Sequence, residues 1–159
     1  FVFYQTLPGI YRVHDKPDQE KISGFLNFLS LRGYVVTGKN KVVSPKDLQN
    51  ILKQLHDKPD SMVLNDLAIR TQAKAKYDFE NIGHFGLASK IYTHFTSPIR
   101  RFPDLTVHTL LHKYLFEYKA DIETVRYYES NLPQICEIAS EREVAAIEAE
   151  RFLSANGLL

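Results

Sequence analysis

Cysteine is almost absent: Cys136 stands alone among 159 residues. A lone thiol excludes an intrachain disulfide framework and fits a reducing, cytoplasmic setting. Charge of one sign is lacking too. Twenty Lys and Arg against nineteen Asp and Glu leave a formal net charge of +1, so no overall basic field advertises nucleic acid and any anion site must be local. No apolar run is long enough to cross a bilayer and no signal-peptide pattern opens the chain, so no membrane association is expected. The histidines and Cys136 show no zinc spacing. What remains is a composition of 44% hydrophobic and 25% charged residues, that of a soluble globular chain able to bury one core.

Helical signals dominate. HDKPD at 14–18 leads into a pattern in which Ile22, Phe25, Leu26 and Leu29 share a face, and Gly33 offers a stop. Ser44-Pro45-Lys46-Asp47 is a strong helix start: a capping serine, a proline in the first turn and a carboxylate near the N-terminus. Leu48, Ile51, Leu52 and Leu55 follow as its apolar face. HDKPD recurs at 56–60 before a helix with Met62, Leu64, Leu67 and Ile69. The flanking sequences differ, so the repeat reads as two similar turns leading into helices, not a duplication. Another helix is expected from Pro103, with Leu105, Val107, Leu110, Leu111, Tyr114 and Leu115 mostly inward. Two more are predicted over about 121–131 and 134–154. Strand signals are sparse: residues 1–13, a hairpin or loop within 34–43, and a short buried strand near Phe85 and Leu87. The fold class is α+β, mostly helical. No linker or domain boundary is visible across 1–159. The chain starts at Phe1 on an apolar stretch and stops just after a helical pattern, which reads as a piece of a longer polypeptide.

Residues 92–101, YTHFTSPIRR, fit no ordinary helix or strand. Ser97-Pro98 resembles a helix start, with Ser97 as cap, yet Pro103 follows five residues later and forces a turn or kink. Free backbone N–H groups and hydroxyls at such a turn favour an anion, and Arg100 and Arg101 add guanidinium forks suited to phosphate. Tyr92, His94 and Phe95 supply rings on which bases or sugars can rest. The plainer alternative is that the arginines pair with Asp104 and solvent while the aromatics fill the core. Elsewhere, Arg70, Lys74 and Lys76 form a basic face that reads as solvated or as a channel wall. Glu143 and Glu150 share a helix face, with Glu143 expected in solvent. Cys136 reads as inert core.

The stretch GHFGLASKIYTHFTSPIRRFPDL, 83–105, closely resembles the signature of the ribonuclease II and ribonuclease R family, within their catalytic RNB domain. LPGIYRVHDKPDQEKI upstream and SEREVAAIEAERFL downstream resemble further segments of that domain. Departures are small: Phe102 stands where tyrosine is usual, and Thr109 where arginine is common. The resemblance implies a hydrolytic exoribonuclease that threads single-stranded RNA, degrades it from the 3′ end and releases nucleoside 5′-monophosphates. It implies Mg²⁺ held by an aspartate cluster. Arg100 matches an arginine at the scissile region, able to stabilise developing phosphate charge, and Glu150 matches a glutamate shaping the same site. Tyr92, His94, Thr96, Ser97, Arg101 and His84 are the expected contacts to phosphate and ribose.

The family's DxDD cluster has no counterpart here. Asp15 and Asp18, like Asp57 and Asp60, flank Lys-Pro in turns and read as carboxylates at helix starts. The chain therefore reads as one partial domain, the C-terminal half of an RNB domain, with its N-terminal half as the missing partner. The Mg²⁺ ligands would lie in that half, and the isolated chain is expected to be inactive. No DNA partner is expected. The competing class is a non-catalytic RNA-binding or scaffold module that kept the fold.

Overall fold

The computed structural model describes residues 7–36 and 43–157, which fall into two compact units. The hairpin or loop expected within 34–43 and the apolar opening of the chain lie largely outside the described residues.

Five helices run in chain order: α1 (Gln19–Leu31), α2 (Pro45–Leu55), α3 (Ser61–Thr71), α4 (Phe102–Leu115) and α5 (Ile122–Ala155). The first unit holds residues up to Val13, 76–81 and 91 onward, and so contains α4 and α5. Strand β1 (Tyr11–Val13) pairs antiparallel with β2 (Lys76–Asp78), with Arg12 opposite Tyr77. Strand β2 is fastened to α5: the Tyr77 N–H donates to Ser140 Oγ at 2.9 Å. The core here gathers Ile10, Tyr77, Val107, Leu110, Leu132 and Cys136, with Tyr114 and Tyr128 edge-on to each other.

One expectation fails in this unit and another, the mostly inward face of α4, holds for four of its six residues. Leu105 and Leu115 are outward, at 48% and 38% exposure. The buried stripe of α4 runs Pro103, Val107, Leu110, Tyr114, and at 3.6 residues per turn Leu105 lies on the opposite side. The two helices over 121–131 and 134–154 are one helix, α5, with Pro133 inside it. Tyr128, Leu132, Cys136 and Ala139 are buried on one face of α5 across the proline, and that continuous packing offsets the lost backbone bond, a cost of about 3 kcal/mol.

The second unit comprises residues 14–75 and 82–90. Helix α1 is capped by Asp18, whose side chain accepts from Lys21 N–H at 2.9 Å, and it buries Ile22, Phe25, Leu26 and Leu29 as its spacing predicts. Gly33, at φ 82°, takes the left-handed conformation just past the helix end, where a side chain would be strained. Helix α2 begins with a capping box. Asp47 N–H donates to Ser44 Oγ, and Ser44 N–H donates to the Asp47 carboxylate at 3.0 Å.

Helix α3 forms where predicted, with Leu67 packed against the core of this unit. Leu64, Ala68 and Thr71 are buried, whereas Met62 and Ile69 are 85% and 65% exposed. The buried strand expected near Phe85 and Leu87 is instead a single 3₁₀ turn over Phe85–Leu87, with Phe85 buried and Leu87 half-exposed. His84 side-chain capping of that turn takes the N–H of Leu87 out of any ladder.

Candidate functional site

The segment between the two prolines lies in the first unit, anchored at both ends. Upstream, Arg12 N–H donates to Tyr92 C=O at 2.8 Å and Thr93 Oγ1 donates to Ile10 C=O at 2.8 Å. Downstream, Pro103 starts α4. Between them the backbone makes the expected turn, but it is not a helix start. The N–H groups of Arg100 and Arg101 donate to Ser97 C=O at 3.2 and 3.0 Å. Ser97 does not cap α4, whose N-cap position is Arg101. Its own N–H donates to Asp104 Oδ2 at 2.8 Å.

Asp104 is fully buried. Burial alone would raise its carboxyl, yet the Ser97 N–H and the Arg101 guanidinium outweigh it and hold the group below the ordinary aspartate range. Arg101 Nη2 donates to the same Oδ2 at 2.9 Å. The plainer expectation for the twin arginines thus holds for one of them: Arg101 pairs with Asp104, as the i, i+3 spacing allows. Arg100 is exposed and makes no ion pair among the described residues.

Beneath the turn lies a packed polar layer. Tyr77 Oη and His94 Nδ1 are hydrogen-bonded at 2.8 Å, and His94 is edge-on to both Tyr77 and Tyr92. Burial, then the nearby Arg101 and Arg12 guanidiniums, hold the His94 imidazole below its ordinary value, so it is neutral at pH 7. Arg12 lies over the Tyr77 ring, 4.6 Å from its centroid, and donates to Glu143 at 2.6 Å. Glu143 is therefore a partner of Arg12, not a solvated carboxylate.

An open cleft of about 560 Å³ runs between the arginine turn and α5. Arg100, Arg101 and Phe102 line one side; Arg142, Glu143 and Glu150 line the other. Residues 139, 142, 143, 146 and 150 share the wall because they recur on one helical face. Arg101 is engaged by Asp104 and Glu143 by Arg12. Arg100, Arg142 and Glu150 are left as the charges not paired within the described residues, a local excess of one positive charge in an otherwise near-neutral chain.

Of the residues singled out from sequence, Arg100, Arg101 and Glu150 meet at this cleft. Tyr92, His94 and Ser97 belong to the same unit, Thr96 is exposed beside them, and His84 belongs to the other unit. There His84 Nδ1 accepts from Leu87 N–H at 3.3 Å and its ring lies edge-on to His14. Arg12, Glu143 and Arg142 were not identified from sequence as parts of the site. No local signal marks the first two, which are 131 residues apart. Arg142 is recoverable from the α5 periodicity that relates it to Glu150. Two of the three residues of the basic face are paired, Arg70 with Asp66 and Lys76 with Asp78. Burial pushes the Cys136 thiol up to about 12, as inert core requires. Among the described residues no three His, Cys, Asp or Glu side chains are placed to hold a metal ion. The cleft's own carboxylates are Glu143, tied to Arg12, and Glu150, so this donor set does not fit Mg²⁺.

Comparison with known proteins fits this layout. The chain is 40% identical over 145 residues to ribonuclease R 1 of Lactococcus lactis, spanning 91% of this chain and 18% of that protein. It therefore covers about a fifth of the length of such relatives. Its structure superposes on Mycoplasma genitalium RNase R in complex with ribose-methylated single-stranded RNA with a TM-score of 0.86 at 28% identity, covering 96% of this chain and 24% of that one. Yeast Ssd1, a pseudonuclease, shares the fold at a TM-score of 0.67 and 22% identity over 88% of this chain and 17% of its own. The sequence model of the RNB domain matches residues 2–117, which include the arginine turn and α4 but end before α5 and Glu150. The chain belongs to the RNB-domain family.

Proposed function

We propose that this chain forms one wall of the RNA-cleaving site of a 3′-to-5′ hydrolytic exoribonuclease that acts on single-stranded RNA and releases nucleoside 5′-monophosphates. The single observation that carries the reading is Arg100: an exposed guanidinium with no ion pair among the described residues, on a fixed turn, at the edge of a cleft. Its role is to stabilise the charge that develops on the scissile phosphate. Arg101, Tyr92, His94, Thr96, Ser97 and His84 position phosphate and ribose in this reading, and Glu150 shapes the site from α5. Glu150 is supported by its place in the cleft alone. Neutral His94 adds no charge and acts through hydrogen bonding.

Both units belong in this reading to one catalytic domain, of which the chain is the C-terminal part. Mg²⁺, when bound, supplies the activated water, and its aspartates lie in polypeptide outside this chain. The described residues do not fit that ion, and none of their roles depends on holding it. RNA and the N-terminal part of the domain are the partners, in a cytoplasmic setting that the lone buried Cys136 supports.

The test is Arg100→Ala in the full-length parent, assayed on end-labelled single-stranded RNA with Mg²⁺. The rate at saturating RNA should fall by about 10²- to 10³-fold with RNA affinity little changed. Weakened affinity with an intact saturated rate would make Arg100 a binding residue only. The isolated chain in the same assay should leave the RNA uncut; stepwise 3′ shortening that follows the chain through purification would overturn that part. The competing reading, a non-catalytic RNA-binding or scaffold module, is separated by the parent's upstream sequence, where a DxDD-type aspartate cluster supports the enzyme.

A further inference from the structure

We propose that Asp104 is a positioning residue for Arg100: a buried carboxylate that clamps both ends of the arginine turn and so fixes where the Arg100 guanidinium points. The inference rests on the role proposed for Arg100 and adds the device that makes it effective.

One oxygen does the clamping. Asp104 Oδ2 accepts from Ser97 N–H at 2.8 Å, at the start of the turn, and from Arg101 Nη2 at 2.9 Å, at its end. Arg100 lies between these anchors, and its own N–H closes on Ser97 C=O at 3.2 Å. The turn belongs to neither strand nor helix, since α4 begins only at Phe102; the side-chain anchors of Thr93 on Ile10 C=O and of His108 on Phe95 C=O lie before Ser97. Asp104 itself is held in place, because it sits in the first turn of α4 with no exposed surface. A charge in that position is costly unless it is paired, so its presence calls for a reason beyond packing. The helix N-terminus favours a carboxylate here, but an exposed one would serve that purpose as well.

The clamp also has idle capacity. Asp104 Oδ1 and Arg101 Nε are both buried and have no hydrogen-bond partner among the described residues. These are the atoms that the second arm of a bidentate fork joins. Polar groups left so are expensive, and the pair can recover that cost by swinging into a two-bond fork, which would draw the turn tighter. Asp104 is not itself part of the cleft lining, so its effect on chemistry must pass through the turn.

The test is a double-mutant cycle in the full-length parent, with Asp104→Asn, Arg100→Ala and both together. Each is assayed for single-turnover shortening of end-labelled single-stranded RNA at saturation, and for RNA affinity. Asp104→Asn keeps the shape and removes the charge. It should lower the saturated rate by about 10²-fold, the scale of a misplaced reacting group, while RNA affinity stays nearly constant. Added to Arg100→Ala, it should cost little more, because the residue it positions is gone. A merely structural Asp104 would reduce the active fraction whatever stands at 100, and its loss would multiply with that of Arg100→Ala; that result, or an unchanged rate in Asp104→Asn, overturns the inference. If Arg100→Ala itself leaves the rate intact, the proposed function fails first and visibly. Should Asp104→Asn not fold, Arg101→Lys carries the same cycle: it keeps the charge but loses the fork, and should again lower the rate without compounding Arg100→Ala. Independence from Arg100, or no loss, overturns the clamp.

Discussion

The pentapeptide HDKPD occurs at 14–18 and again at 56–60, and the two copies have little in common beyond leading into a helix. His14 is buried at 8% exposure and uses both ring nitrogens: Nδ1 accepts from Gly86 N–H at 2.9 Å and Nε2–H donates to Ala73 C=O at 2.7 Å. His56 has a side chain 82% exposed beside Asp57. Asp18 caps α1, whereas Asp60 makes no side-chain cap to α3 and instead accepts from Tyr34 Oη at 3.0 Å and from Arg32. Identical letters do not set the same local structure: the two similar turns expected from the repeat are a turn at 56–60 but irregular chain without a turn at 15–18, and the partners delivered from elsewhere in the chain decide what each residue does. The twin arginines repeat the lesson at the candidate site, where Arg101 is tied to Asp104 and its neighbour Arg100 is exposed with no ion pair among the described residues.

The comparison breaks most sharply at the first histidine. His14→Ala removes a buried ring and leaves the Gly86 N–H and the Ala73 C=O without their partner. The expected loss is about 2 to 3 kcal/mol, read in thermal melting of the chain as a drop of roughly 5–10 °C. Gly86→Ala approaches the same seat from the other side. A Cβ there would lie 2.8 Å from His14 Nδ1, inside contact distance, so the ring must move and the variant should melt lower than the parent chain. A change of less than about 1 °C in both variants would mean that His14 does not organise its surroundings and that the two copies are equivalent after all.

What was legible in the sequence was local. The Ser44–Asp47 box, the Gly33 stop, the buried faces of α1 and α2 and the turn between Pro98 and Pro103 all depend on residues within a few positions of one another, and all are as the pattern predicts. The Arg101–Asp104 pair was legible only as the plainer alternative to a phosphate role for the arginines. Three features were not. Arg12 and Glu143 meet across 131 residues, a contact created by β1 pairing with β2 and β2 lying on α5. The inward face of α3 buries Leu64, Ala68 and Thr71 and leaves Met62 and Ile69 outside, an order that hydrophobicity alone does not foretell. Pro133 reads as a helix break unless the burial of Leu132 and Cys136 on both sides is known. The cleft joins two stretches that are each legible alone: its Arg100 side stands out as a motif and its α5 side as the helical face shared by Glu143 and Glu150, but nothing local says that the two meet.

Smaller effects sharpen the same contrast. Asp18→Ala removes the side-chain cap of α1 and should cost about 1 kcal/mol, while Asp18→Asn, which keeps an acceptor oxygen, should restore most of it. At the far end of the series is His56→Ala. Its ring is solvated and its one ionic neighbour, Asp57, is 93% exposed, so solvent screens the pair and holding two side chains together offsets what attraction remains. The variant should melt within the margin of ordinary surface substitutions, about 0.5 kcal/mol. The informative measurement is His14→Ala and His56→Ala side by side in the same buffer, since the pentapeptide around each is the same and only the tertiary partners differ. Equal melting shifts would assign the stabilisation to the pentapeptide itself; a shift confined to His14→Ala assigns it to Gly86 and Ala73, which no reading of five letters supplies.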